Sequence, residues 1–175
     1  MIETLISSKT RIKLLLKLFL NSKNNAYLRG LADEFGESTN AIRLELNRLE
    51  EAGMITSLVE GNKKIFKANT SHPLFNEIHN ILLKDIGIDT IIEKVVSQLG
   101  DVEKVYLSGM LAKGHDNNII DLEIVGKPNM NYLIELVAHA EEFISRKIRY
   151  VVFTNEEFEK FANASEKRLL IWSKD

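Results

Sequence analysis

Cysteine is absent from the 175 residues. That removes disulfides, thiolate nucleophiles and cysteine-ligated zinc or iron–sulfur sites together, and a reducing cytoplasm is the expected location. No run of 18 or more apolar residues occurs. The most apolar stretch, Ile12 to Leu20, is interrupted by Lys13 and Lys17, so no membrane span and no membrane partner are expected. Met1-Ile2-Glu3-Thr4 lacks a basic segment and a cleavage site, which argues against secretion. Neither sign of charge dominates: 23 basic against 25 acidic residues give a net charge of −2. The 45% of hydrophobic residues is enough for a buried core and excludes a disordered chain.

The charge is distributed unevenly. Residues 1–72 hold 11 Lys and Arg against 8 Asp and Glu, a net +3, and residues 73–175 a net −5. A basic front joined to an acidic rear permits anion binding by the front half.

In that front half, Ile12, Leu15, Leu16 and Phe19 lie on one helical stripe. Asn21 to Asn25 break the pattern. A second helix is predicted from Tyr27 to Phe35, closed by Gly36. Ser38 is placed to cap a third, which buries Ile42, Leu46 and Leu49 and stops at Gly53. Ile55–Val59 and Lys64–Ala68 flank Gly61-Asn62 as a β-hairpin. Two helices around a short turn match the helix-turn-helix signature, and three helices followed by such a hairpin are the layout of a winged helix.

This region resembles the winged helix-turn-helix repressors of the ArsR and MarR type. The likeness is carried by Leu28-Arg29-Gly30-Leu31-Ala32, by Ser38-Thr39-Asn40-Ala41-Ile42-Arg43-Leu44-Glu45-Leu46, and by Leu49-Glu50-Glu51-Ala52-Gly53-Met54-Ile55. Removing core positions leaves Thr39, Asn40, Arg43 and Asn47 on one face of the third helix. Arg can pair with guanine and Asn with adenine in the major groove, and Thr39 lies at a helix N-terminus suited to a phosphate. Lys63 and Lys64 at the hairpin tip would neutralise backbone phosphates. The bland alternative is a solvated mixed-charge helix in which Arg43 and Arg48 answer Glu45, Glu50 and Glu51.

Asn69 to Pro73 punctuate the chain, and a linking helix is predicted from Pro73 to about Lys84. The resemblance implies that this helix pairs with its twin in a homodimer. Gly87 and Asp89 mark a boundary, followed by a helix from Thr90 to Leu99. The expected division is 1–72, 73–89 and 90–175. Beyond Gly100, strands at Val102–Leu107, Ile119–Val125 and Lys147–Phe153, a helix from Met130 to Ser145 and a last helix from Asn155 to about Trp172 define an α/β domain. Phe158, Phe161 and Trp172 read as the core of that last helix. The fold class is thus α+β.

Gly109 and Gly114 have a P-loop gap, but His115-Asp116 stand where Lys and Ser or Thr are required. The stretch resembles instead the minimal nucleotidyltransferase fold of the polymerase-β superfamily, through Leu107-Ser108-Gly109-Met110-Leu111-Ala112-Lys113-Gly114 and Asn118-Ile119-Ile120-Asp121-Leu122-Glu123-Ile124-Val125-Gly126. That resemblance implies a carboxylate pair on the second strand, holding two divalent ions. Ile119 stands at the first of these positions and only Asp121 is kept. Met110 replaces the phosphate-contacting Ser, and Arg149 to Phe153 offer no third carboxylate. Asp121 and Glu123 share a face, which leaves two alternatives: a shifted Asp-x-Glu pair binding one metal, or a Glu123 that is simply solvent-facing and paired with a base such as Arg149. Ser108, Gly109, Lys113, Gly114, Asp121 and Glu123 are therefore read as a vestigial nucleotide site, with no catalytic residue, metal or cofactor. His72, His79, His115 and His139 lack ligand spacing. Two glycosylation sequons, Asn69-Thr70-Ser71 and Asn163-Ala164-Ser165, carry no meaning without secretion.

The sequence thus leads to a cytoplasmic transcriptional regulator that binds double-stranded DNA as a homodimer, its rear domain serving dimerisation or the sensing of a small-molecule effector or partner. The competing readings are a nucleotidyltransferase that modifies a protein or RNA, and an antitoxin-like interaction module.

Overall fold

The computed structural model describes residues 1–162 and 167–174. It is a mixed α+β protein that divides into two compact units, Met1–Leu82 and Leu83–Asp175. No described helix is long and apolar enough to cross a membrane.

The first unit opens with α1 (Ile2–Leu5) and α2 (Lys9–Phe19). Ser8 caps α2 by accepting the Arg11 amide, which satisfies one of its orphan donors. The buried surface of α2 is wider than the predicted stripe: Leu14 and Leu18 are fully buried beside Leu15 and Phe19. Even Lys17 is 8% exposed, its ammonium held 2.8 Å from Glu34. A short strand, β1 (Ala26–Tyr27), precedes α3 (Leu28–Phe35), and its pairing with the hairpin was not foreseen. Gly36 ends α3 in the left-handed region at φ 65°, where a side chain is strained.

The next helix, α4 (Thr39–Glu51), starts at Ser38, whose hydroxyl accepts the Ala41 amide at 3.2 Å. β2 (Ile55–Glu60) and β3 (Lys63–Ala68) then form a two-residue hairpin, Glu60 opposite Lys63. The sheet order is β1-β3-β2. Leu14, Phe19, Leu31, Ile42, Leu46 and Ile55 are its fully buried centre. α5 (Phe75–Ile86) contains the division between the units.

In the second unit, α6 (Ile88–Lys94) gives way to a 3-10 turn at Val96–Gln98, earlier than the expected end at Leu99. The β-branched run Ile91, Ile92, Val95, Val96 is a poor helix interior. β4 (Val102–Ser108), α7 (Gly109–Ala112) and β5 (Ile119–Gly126) follow. α8 (Met130–Glu141), capped by Asn129, stops short of the expected Ser145. β6 (Lys147–Phe153), α9 (Asn155–Ala162) and β7 (Leu169–Ser173) complete the unit. The sheet order is β6-β5-β4-β7, with β6 parallel to β5 and the other pairs antiparallel.

The predicted last helix to Trp172 is therefore corrected. Trp172 lies on β7 opposite Val105, and Phe161 is 55% exposed. Half-buried Phe158 stacks on Tyr106 at 5.0 Å, and Phe161 keeps a ring contact with Phe153 at 5.9 Å. The Leu-Leu-Ile-Trp run suits a strand better than a helix. The sequon Asn163-Ala164-Ser165 falls outside the described residues.

Candidate functional site

The exposed face of α4 is built by subtraction. Ile42, Glu45, Leu46 and Leu49 turn inward, leaving Thr39, Asn40, Arg43 and Asn47 exposed. Asn40, Arg43 and Asn47 line one open groove of about 430 Å³ with Ser38, Ala41 and Leu44. Thr39 lies outside that lining, at the helix start. Arg43 Nη1 donates to Asn40 Oδ1 at 3.5 Å, a weak tether that leaves the guanidinium without a carboxylate among the described residues. Leu44, 54% exposed on this groove, escaped the sequence reading. An apolar side chain on such a face is suited to a thymine methyl.

Of the acidic residues expected to answer Arg43 and Arg48, Glu45 pairs with Arg48 on the same helix and with Arg11, and Glu50 with Lys64. Glu45 is buried, at 5% exposure. It accepts Arg11 Nε at 2.9 Å, Arg48 Nη1 at 3.1 Å and the Ser8 hydroxyl at 3.1 Å. Burial pushes its pKa up, but the hydrogen bonds from Arg11 and Ser8 and the two guanidinium charges outweigh this and hold it low. Glu50 is held low mainly by its hydrogen bond from Lys64 and then by that from Ser57.

The hairpin cations are not both free. Lys64, its side chain 46% exposed, lies 2.7 Å from Glu50. Lys63 rests over the Tyr27 ring at 4.4 Å. Tyr27, Leu28, Arg29, Asn62, Lys63 and Lys64 line a second groove of about 450 Å³. Arg29 was overlooked because it was read only as part of a motif. It is exposed at the start of α3, with no carboxylate partner among the described residues.

In the second unit, strand register brings Ser108, Asp121 and Arg149 together. Ser108 stands opposite Asp121, and Asp121 beside Arg149. The Ser108 hydroxyl donates to the Asp121 carbonyl at 3.4 Å. Arg149 holds the Asp121 carboxylate through Nη2 at 2.6 Å and Nε at 2.7 Å. Gly109, at φ +65°, lies so close to this carboxylate that a Cβ would overlap it. Glu123 is 7% exposed and accepts Arg168 Nε. The alternative in which Glu123 faces solvent against Arg149 is thus corrected: Arg149 serves Asp121, and Glu123 is buried against a different arginine.

Ile119 is half-buried, Lys113 is exposed and Gly114 buried. No group of three His, Asp or Glu able to hold a metal occurs among the described residues. Hard divalent ions take anionic oxygens, and here each nearby carboxylate already serves a guanidinium. These residues do not fit a two-metal centre.

No family model matches the chain, and no curated protein does. Among solved structures, reduced HlyU from Vibrio cholerae is 13% identical, covering 53% of this chain and 82% of that one, with a TM-score of 0.37. AF1382 from Archaeoglobus fulgidus is 19% identical, covering 56% and 98% at the same TM-score. A candidate nucleotidyltransferase from Sulfolobus solfataricus is 22% identical, covering 53% and 83%, again at 0.37. Likeness this slight leaves function to be argued from the residues.

Proposed function

We propose that the chain is a DNA-binding transcriptional regulator with an N-terminal winged helix and a C-terminal nucleotidyltransferase-like domain that does not transfer nucleotides. The observation that carries the reading is the α4 groove. Asn40, Arg43 and Asn47 open into one concave surface, while Glu45 and Glu50 are tied to other cations. An Arg and two Asn at helical spacing, without an opposing carboxylate, are donors and acceptors fitted to base edges.

Arg29 and Lys63 add positive charge beside the hairpin, where phosphates are met without sequence information. One such helix covers a half-site, so the protein acts as a homodimer on a two-fold operator. The rear domain recognises rather than reacts, with Asp121 and Glu123 serving as structural carboxylates. The cysteine-free composition suits action in the cytoplasm.

The test is selection of bound fragments from genomic DNA by the full chain and by Arg43→Ala. A shared sequence motif recovered by the wild type and lost with Arg43→Ala is expected. Recovery of the same motif by both proteins would refute the role of Arg43. Absence of any DNA retention by the wild type would refute the reading as a whole.

A further inference from the structure

The rear sheet has two edges, β6 and β7, and they are guarded differently. On β7 the register slips between Leu170 and Trp172, so Ile171 forms a bulge, which spoils further pairing. β6 pairs with β5 without a break from Lys147 to Phe153, and no strand lies beyond it among the described residues. The Lys147 amide donates inward, to the Asn118 carbonyl at 2.8 Å. Residues along a strand alternate in the side they address, so Ile148, Tyr150, Val152 and Thr154 turn their backbone groups outward.

Two of those four amides are already filled. Glu141 accepts the Ile148 amide at 2.7 Å. Glu157, in a reciprocal cap at the start of α9, accepts that of Thr154 at 2.8 Å. Between them lies an opening of three residues, Tyr150-Val151-Val152, with neither proline nor charge to guard it. Apolar side chains flank it. Val151 is 52% exposed, and exposed Phe161 of α9 lies beside Phe153. On α8, Ile134, Ala138 and Glu141 share one stripe. Glu141 reaches the edge from that stripe, and Ile134 upon it is 57% exposed.

We propose that a second copy of this chain pairs here, β6 to β6, antiparallel about a two-fold axis through Val151, so that two four-stranded sheets become one of eight. Tyr150 would exchange both backbone bonds with Val152 of the partner subunit, and Val152 both with Tyr150 of the partner subunit. Val151 would meet its own counterpart at the close, non-hydrogen-bonded position. The opening is its own complement, because it extends equally to either side of Val151. Charge sets the direction only, since Lys147 and Arg149 already answer Glu141 and Asp121. Antiparallel pairing brings the basic start of β6 towards the acidic first turn of the second copy's α9, where Glu156 and Glu157 stand; parallel pairing would set like charges together. The pairing rests on the homodimer of the reading above and not on its DNA binding, and it is measured without DNA.

Because the chain has no cysteine, one introduced thiol reports the axis. Full-length Val151→Cys, with Leu170→Cys on exposed β7 as control, is oxidised with diamide and followed by non-reducing electrophoresis. Wild type and Val151→Lys are compared by sedimentation equilibrium. At the axis the paired Cα atoms should lie about 4.5 Å apart, within the roughly 4.4–6.8 Å that a disulfide spans. Val151→Cys should therefore give a linked dimer about tenfold or more faster than Leu170→Cys, as a reaction within a formed pair outruns collision. Val151→Lys sets like charges face to face and should raise the dimer dissociation constant about tenfold or more, a change of about one decade in affinity. Equal linking of the two cysteine variants would overturn the pairing. A wild-type dimer that Val151→Lys leaves intact would overturn it too, and would assign the homodimer to another surface. A wild type that sediments as a monomer at every concentration would refute pairing and homodimer together, leaving the edge to an extended segment of a different protein. Rapid linking of Val151→Cys in a chain that retains no DNA would uphold the pairing and refute the DNA-binding reading alone.

Discussion

Replacing Arg168 by Leu isolates the energetics of the rear unit. Arg168 and Glu123 form a pair whose side chains are 12% and 9% exposed, and Arg168 also lies 5.6 Å from the Phe158 ring centre. Removing one partner of a buried pair leaves an uncompensated charge and costs about 3–5 kcal/mol. The lost ring contact adds about 0.5–1 kcal/mol. At about 4–8 °C per kcal/mol for a domain of this size, the melting midpoint of Arg168→Leu should fall by roughly 12 °C or more.

The reverse deletion, Glu123→Leu, should cost less, because the long Arg168 stem can carry its charge to water. The double substitution should recover to within about 1 kcal/mol of the wild type, since a well-packed apolar pair often matches a buried ion pair. Urea denaturation of the four proteins measures all of this. An Arg168→Leu protein as stable as the wild type, or a double variant as weak as Arg168→Leu, would show that Glu123 is solvated and available to a ligand, against the structural role assigned to it.

Other consequences are simpler to test. Ser38→Ala removes the acceptor of the Ala41 amide and should destabilise the first unit by about 1 kcal/mol in a denaturant titration. Gly109→Ala combines a left-handed backbone with overlap onto Asp121. It should cost about 1–3 kcal/mol, and pairing it with Asp121→Ala should recover the overlap portion but not the backbone portion. Glu45 and Glu37 are held below the ordinary carboxylate value of 4.5 despite the upward push of burial, Glu37 by hydrogen bonds from Lys13 and Thr10. Between the lowered and ordinary values the unfolded chain binds more protons. This stability is therefore complete above pH 4.5 and lost as the pH falls through the lowered values. Denaturation across acidic pH should show that slope, and Glu45→Gln should flatten it.

Much of the first unit was legible because its signals are local. Ser38 and Gly36 punctuate helices within a few residues of the apolar periods they bound. Two-residue β1 offered no period to detect, and Leu14 and Leu18 lie off the stripe that Leu15 and Phe19 define. β7 was lost because the spacing of Phe158 and Phe161 ran on into Trp172, and only pairing with β4 distinguishes strand from helix there.

The site divided along the same line. Asn40, Arg43 and Asn47 could be found by subtracting core positions on one helix. The fates of Glu45 and Glu123 depended on partners 34 and 45 residues distant in the chain, which no local pattern encodes. Arg29 needed the groove itself to be noticed. Sequence could say that Ile119 is no metal ligand. It could not say that arginines already hold Asp121 and Glu123.

The central claim, that α4 reads bases through Arg43, is tested most directly by measuring binding of wild type and Arg43→Ala to a selected duplex and to versions with each G·C pair inverted. The wild type should discriminate one position by about 1–3 kcal/mol, with Arg43→Ala indifferent there while keeping its salt dependence. Equal discrimination by both proteins at every position would contradict the account.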